Sequence, residues 1–489
     1  MAHSINLFEY VKYSWRSSEE LAGLPEEFSD LLEQTLQLIW KDRNRFVPVN
    51  NFYGESESKT QRFVEFKKNH IVPGKWLGSI HFKREGKDYS LNLLPKIFHR
   101  QDRQPTESET KAIFAHILWW LAGSEKQFNT SLTSSMQGMQ SDFLEAMIYV
   151  FSCFTIEVFS TSTYNYYETV CEETQAIKGA IDFGAYAKNF GQGRLHSVPC
   201  IYDSFQFDNG FNRIVKHVCT LLANATNNPA SRKNLDEILF IMDEVEDREV
   251  TIEDCDKVNL NPIHTEFKTI LDHCRMFLSS LSTYKWKNEY EVFAFLIPAE
   301  ALFENFIYST LRKDRNPRVR KVSRSRGNKG RSHLVRQLPN PAYNRYKMIN
   351  DMVVRTVDDR FLIFDTKYKK IYGRNRSEDE DVIDNVYNVS QADVYQMVSY
   401  AIGSGIDRIG LIYPSLLEDD PAEELPVYEI GDEFNPETVI RIHPIKVDIT
   451  HELKLALEPK GKLEKVFEKS MNKLKDQLSV AIDQCLSEP

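Results

Sequence analysis

Three charged side chains in this 489-residue chain stand where an apolar strand would have none. Residues 348–371 read MINDMVVRTVDDRFLIFDTKYKKI, two apolar runs on either side of a charged turn. The first run carries Asp351; the second carries Asp365 and Lys367. Burying an unpaired charge is costly, so runs this apolar should avoid all three. Brought together, two carboxylates and an ammonium have a chemical use. Carboxylate oxygens suit Mg²⁺, which binds through one or two of them, keeps several waters and takes phosphate oxygens as further ligands. The metal acidifies a bound water and stabilises charge on the phosphate, and a lysine can orient that water or stabilise the pentacovalent state. That is the chemistry of phosphodiester hydrolysis. The other reading is an edge hairpin whose charges face water, and a D-x-K triplet is too short to decide between the two.

The chemistry requires one face. Side chains alternate along a strand, so Asp365 and Lys367 share a face and Thr366 takes the other. A two-residue loop at 358–359 would pair 351 with 366 and turn Asp351 away. The expectation is therefore an odd loop, or a bulge, that pairs 351 with 367.

The elements around the hairpin have their own signals. Ser390 precedes SQADVYQMVSYAIG and resembles half of a capping box with Asp393, and the helix should end near Gly403 and Gly405. DRIGLIYP (407–414) is a short apolar run stopped by Pro414, a buried strand. Strand, crossover helix and strand favour parallel pairing with a right-handed connection. Before the hairpin, PAEALFENFIYSTLRK (298–313) reads as a helix, and 311–347 holds thirteen Lys or Arg against one acid, Asp314. Next to a nuclease core that stretch becomes a candidate for phosphate contacts, above all through Arg324, Arg326, Lys329 and Arg331.

The rest of the chain divides by composition and pattern. Its length suggests about three domains of ordinary size. Residues 1–105 mix helix signals, as in PEEFSDLLEQTLQLIW, with a hairpin formed by KWLGSIHF and YSLNLLP around REGKD. Residues 106–290 are mostly helical by pattern, with Asp208 and Asn209 as candidate caps for NGFNRIVKHVCTLLANA. Residues 291–420 hold the charged hairpin, and 421–489 form a strand and helical extension, its helices broken near 459–461. The fold class is mixed α/β and multi-domain. Trp119 and Trp120 read as core, and Arg213 and Lys216 as helix-surface or ion-pairing residues.

Composition narrows the function. With 42% hydrophobic residues the chain can build large cores. A net charge of −10 argues against a surface that coats nucleic acid throughout, and leaves a local basic patch open. Seven scattered cysteines without a CxxC fit reduced thiols, and the twelve histidines form no spaced ligand set. AIFAHILWWLAG is too short to span a bilayer, and the N-terminus has no signal-peptide core. A cytoplasmic protein without a membrane partner is expected. No Walker A string occurs, so any nucleotide hydrolysis in its system would come from another chain.

The motifs, taken in order, resemble a known family. N-D-M-V-V, F-D-T-K-Y and Q-M-V-S-Y resemble the core of the PD-(D/E)xK nuclease superfamily, with Asn350 in place of the motif's proline. LNLLPKIF (91–98), KGAIDF (178–183), CIYDSFQFDNGFNRIVKHV (200–218), FLIPAEALFENFIYSTL (295–311) and LIYP (411–414) are similar to blocks of the McrC family, the nuclease subunit of McrBC restriction systems. The resemblance implies a C-terminal nuclease core of mixed sheet flanked by helices, after an N-terminal α+β domain and a helical middle region. It implies a Mg²⁺-dependent DNA endonuclease of a GTP-dependent, modification-dependent defence system. Asp351 and Asp365 would hold the metal, Lys367 would be the catalytic lysine, Glu304 the acid on the first core helix, and Gln396 the polar residue after the hairpin. The partners implied are an McrB-like AAA+ GTPase ring, engaged by the N-terminal region, and double-stranded, modified or phage DNA. The alternative is a non-catalytic activator of the ring with a dispensable nuclease core.

Overall fold

The computed structural model describes residues 3–21, 28–41, 61–84, 87–100, 103–124, 143–260, 265–280, 292–313, 316–324, 333–336, 344–347, 351–370, 389–417, 419, 425–432, 435–450 and 463–487. The chain folds into two compact units, one made of residues 1–147 with 279–489, the other of residues 148–278.

Two sheets organise the first unit. One has four strands in the order His3–Phe8, Lys87–Leu94, Trp76–Arg84, Val292–Pro298. The hairpin expected from KWLGSIHF and YSLNLLP is its centre, paired antiparallel. Val292–Pro298 joins its edge antiparallel to Trp76–Arg84, so the strand leading into the core helix belongs to the N-terminal sheet. That contact needs a glycine. Gly78 lies opposite Leu296 at φ +133°, where a Cβ would come within 1.9 Å of the Phe295 carbonyl oxygen. Helix Phe28–Lys41 covers the sheet with Leu32, Leu36 and Trp40, and Trp40, Phe63 and Trp76 meet edge to face.

The second sheet has six strands in the order Val319–Ser323, Met352–Thr356, Phe361–Thr366, Arg408–Pro414, Asn435–Val447, Tyr428–Asp432. The hairpin strands pair antiparallel, and Phe361–Thr366 then pairs parallel with Arg408–Pro414 after crossing over through helix Gln391–Ser404. Arg408–Pro414 is buried almost throughout, as a central strand must be. Gly410 lies opposite Phe364, whose ring occupies the space a Cβ would need. The sheet continues through Asn435–Val447, well past the last apolar run noted in the sequence.

Helices Ala299–Lys313, Gln391–Ser404 and Leu463–Leu486 pack against this sheet, and helix Glu107–Gly123 packs on the first and last of these. Helix Glu107–Gly123 starts at a full capping box between Thr106 and Glu109. Trp119 and Trp120 are buried as expected: Trp119 stacks on Phe467 at 4.7 Å and meets Phe306 of helix Ala299–Lys313 edge on. The C-terminal helix Leu463–Leu486 ends against the sheet, where its Cys485 and Leu486 carbonyls accept hydrogen bonds from Arg408 and Arg360. Cations on the last carbonyls of a helix satisfy groups that have no partner within it. The expected break near 459–461 lies outside the described residues.

The second unit is more than helical. Helices Gly210–Ala225, Pro229–Ile241 and Thr265–Ser280 are present, but Tyr166–Thr174, Val198–Gln206 and Ala180–Ile181 form a three-stranded antiparallel sheet that the helical pattern did not show. Asn209 caps Gly210–Ala225 through the Asn212 amide; Asp208 instead pairs with Arg213 at 2.8 Å. Arg213 and Lys216 are both ion-paired, with Asp208 and Glu246, and with Asp247. Helix Phe143–Thr161, which leads into this unit, is long and apolar enough by length and composition to cross a membrane, and 72% of its apolar window is buried within the protein.

Candidate active site

The hairpin turn decides whether the charges meet. The ladder runs from Met352 opposite Phe364 to Arg355 opposite Phe361. Thr356 then donates its N–H to the Arg360 carbonyl, and residues 357–359 form the loop, with Asp359 at φ 61°. A three-residue loop with a left-handed last residue is a standard way to close an odd hairpin. The loop is odd, as the chemistry required. The register corrects the expected pairing: the ladder puts 351 opposite 365, not 367, because the loop centres on Asp358 rather than Asp359. Parity is preserved, so Asp351, Asp365 and Lys367 still share a face.

Asp365 is 2% exposed, and its Oδ2 lies 2.7 Å from Lys367 Nζ. The contact is an ion pair without hydrogen-bond alignment, which leaves Oδ2 a buried acceptor with no hydrogen bond. Lys367 Nζ donates instead to Gln396 Oε1 at 2.8 Å, and Gln396 Nε2 donates to the Tyr400 hydroxyl at 2.7 Å. Gln396 and Tyr400 are therefore a relay behind the lysine and not a surface pair; Tyr400 is buried. Asp351 Oδ2 accepts two bonds from Thr366, N–H and Oγ1, each at 2.8 Å. Thr366, next to Asp365 in the strand, thus fixes the first acid through its backbone and hydroxyl.

The electrostatics follow from crowding two acids in little water. Burial first, and then the Asp351 charge, push the Asp365 carboxyl up to about 7 against the pull of Lys367. Asp351 keeps a partly exposed edge, yet burial raises its carboxyl as well, opposed by the Thr366 bonds and the Lys367 and Arg324 charges. Burial works against the Lys367 ammonium, but Asp365 at contact distance, with Asp393 and Asp351 beyond, holds its pKa above the ordinary lysine value. Two carboxyls that resist ionisation together are a site short of positive charge.

A divalent cation fits that description. Asp365 is buried within reach of the Asp351 charge, and its Oδ2 takes no aligned hydrogen bond although Lys367 Nζ lies 2.7 Å away. Among the described residues no group of three or more His, Cys, Asp or Glu could hold a metal, so the protein would supply two carboxylates and leave the other positions to water and phosphate. Mg²⁺ binds in that manner.

The remaining sequence candidates fall at different distances from this cluster. Glu304 is buried on helix Ala299–Lys313 and lies 3.8 Å from Arg324, whose charge also reaches Asp351. Arg324 is held inward: it donates to Asn305 Oδ1 and stacks 4.4 Å from the Tyr308 ring centroid. Arg326, Lys329 and Arg331 lie outside the described residues. Sequence reasoning passed over two groups. Asp393 was read only as a cap residue; Ser390 Oγ does accept from its N–H, but its buried carboxylate takes Lys369 Nζ at 2.8 Å on both oxygens. Thr366 was assigned to the far face and given no role. The signal for both was proximity to the charged strand in sequence, without a motif to mark it.

A six-stranded mixed sheet thus carries two acids and a lysine at the end of one antiparallel pair, and its crossover helix supplies a glutamine. The comparison with known families agrees in kind: the chain belongs to the family of McrBC 5-methylcytosine restriction system components, which matches residues 72–414. No curated protein matches the chain. Among solved structures it is similar to a chain of a half-complex from the tetradecameric assembly of Thermococcus gammatolerans McrB AAA+ hexamers with bound McrC. The TM-score is 0.63 at 18% identity, over 96% of this chain and 99% of that one. A chain of the cryo-EM structure of the Thermococcus gammatolerans McrBC complex is also similar, at TM-score 0.47 and 17% identity over 64% of this chain and 88% of that one.

Proposed function

We propose that this chain is the Mg²⁺-dependent DNA endonuclease subunit of an McrBC-like, GTP-powered restriction system, working with an McrB-like AAA+ GTPase ring on modified or phage DNA. The observation that carries this reading is that Lys367 Nζ lies 2.7 Å from the buried Asp365 Oδ2 while Asp351, bonded to the adjacent Thr366, is near enough for its charge to act on Asp365. Asp351 and Asp365 would hold the cation, which when bound supplies Lewis-acid stabilisation of the phosphate and a more acidic water. Thr366 fixes the Asp351 carboxylate for that task. Lys367, anchored by Gln396, places a fixed positive charge beside the acids, where negative charge develops on the phosphate oxygens. The Gln396–Tyr400 relay limits the rotamers open to the lysine, so its position costs little reorganisation in the reaction.

The partner contact draws on a second observation. The family resemblance marks residues 1–105 as engaging the ring. In the second unit Ile177, Phe183, Phe190 and Leu195 are all more than half exposed within a short stretch. Phe183 and Phe190 lie seven residues apart and share a helix face. Exposed apolar clusters of this kind mark protein contacts, so the reading extends the ring-facing surface to this unit.

The test is a single substitution. With the ring partner, GTP, Mg²⁺ and modified DNA, Asp365→Ala should abolish cleavage and leave partner binding and GTPase stimulation in place. Unchanged cleavage in that variant would overturn the site; cleavage absent from the wild type under every metal and DNA tried would leave the chain an activator alone.

A further inference from the structure

Lys96 follows Pro95 in the 3₁₀ turn Lys96–Phe98, at the end of the N-terminal sheet. Its side chain does not reach solvent. Nζ donates to the Tyr368 carbonyl at 2.7 Å and sits 4.5 Å from the Tyr368 ring centroid and 4.6 Å from that of Tyr10. Its backbone N–H donates to Glu9 Oε2 at 3.1 Å, and Glu9 is fully buried just beyond strand His3–Phe8. The Tyr368 hydroxyl lies beside Glu9 and stabilises its carboxylate, although neither that hydroxyl nor Glu9 Oε1 has an aligned hydrogen bond. The same ring meets Phe303 at 5.7 Å, one residue before Glu304.

These groups close on the residue directly after Lys367. Burial pushes the Glu9 carboxyl up to about 7 and the Lys96 ammonium down, each against the other's attraction. Replacing a buried pair of this kind with apolar residues is often neutral or stabilising, which turns attention to what the pair holds in place. Two backbone anchors bracket the lysine: the Lys367 N–H donates to the Ile412 carbonyl at 2.8 Å, and the next carbonyl, that of Tyr368, takes Lys96. A strand end pinned on both sides of one residue holds that residue's side chain on a fixed course.

We propose that Lys96 is a positioning residue for the nuclease centre: by clamping the carbonyl and ring of Tyr368 it fixes where Lys367 leaves the strand, and it ties that geometry to the N-terminal sheet. The inference rests on the nuclease reading above and adds to it a link between the sheet of the first hundred residues and the catalytic lysine.

The test uses the full chain with its ring partner. Lys96→Met keeps the stem and removes the donor. It should lower the single-turnover cleavage rate at saturating DNA at least tenfold, with DNA affinity and GTPase stimulation unchanged, and Lys96→Arg should recover part of the loss. Hydrogen exchange in residues 365–370 should quicken at least tenfold, while residues 408–414 keep their protection. Cleavage within twofold of wild type, or unchanged exchange at 365–370, overturns the inference. If Lys96→Met does not fold, Tyr10→Leu, which removes the outer ring, should slow cleavage two- to threefold, and an unchanged rate there is equally decisive. A wild type that cuts no DNA overturns the nuclease reading, and the exchange result then decides the placement alone.

Discussion

Lys367 Nζ lies 2.7 Å from Asp365 Oδ2 and 2.8 Å from Gln396 Oε1, so one ammonium bridges the strand that carries the acids and the helix that crosses over from it. The two contacts are not equivalent. The first joins buried charges, the second orients one of them.

That difference gives graded effects. Lys367→Met should reduce DNA cleavage by about 10²-fold or more, in line with loss of a preorganised charge at a transition state. Gln396→Ala leaves the lysine in place but frees its rotamers, and should cost roughly tenfold. Single-turnover rates with saturating DNA and Mg²⁺ decide it; equal losses for both variants would mean that Gln396 does more than orient the lysine.

The proposed ring contact through Phe183 and Phe190 can be tested apart from the chemistry. Phe183→Asp with Phe190→Asp should weaken stimulation of the ring's GTPase by about tenfold, a loss of roughly 1.4 kcal/mol in binding. Both side chains are exposed, so the melting temperature should stay near the wild-type value. Full stimulation by the double variant would return the whole ring contact to other surfaces.

Glu9 should make stability depend on pH. Burial raises its carboxyl from 4.5 to about 7, with Lys96 and the Tyr368 hydroxyl pulling down and Glu300 adding to the rise. A carboxyl raised on folding binds its proton more tightly in the native state. Its contribution is fully present below about pH 4.5 and is lost as pH rises through about 7, by on the order of 3 kcal/mol in all. Glu9→Gln removes this titration. The melting temperature of the variant relative to wild type should therefore climb between about pH 4.5 and 7 and level off above it. A difference that stays flat across that window would mean the carboxyl titrates normally.

Local pattern revealed three adjacent strands of the six in the second sheet, and the identity of its charged residues. The hairpin, the crossover helix with Ser390 at its start and the buried strand Arg408–Pro414 each have a period or a cap that can be read without partners. Register could not be read to the residue, because it depends on Asp359 adopting φ 61°, a backbone choice that VDDR permits but does not announce. The three-stranded sheet of the second unit was hidden between strongly periodic helices; YYETVCEET alternates too weakly to stand against them. Lys96 was beyond reach for a different reason. Its carbonyl partner is 272 residues away, and nothing in LPKI says that the lysine points inward. For Glu304 the helix position was clear, but the 3.8 Å contact with Arg324, twenty residues further on, was not.

Strand Val292–Pro298, hydrogen-bonded at the sheet edge to Trp76–Arg84 alone, makes the N-terminal region a poor detachable part. A fragment that begins near 291 would carry a strand with no neighbour, and a fragment that ends near 105 would leave Gly78 facing solvent instead of the Phe295 carbonyl. The two halves of the first unit must be inherited, expressed and degraded together. A change that parts residues 76–84 from residues 292–298 would disturb both at once, so the first unit is one piece of folding drawn from two distant stretches of chain.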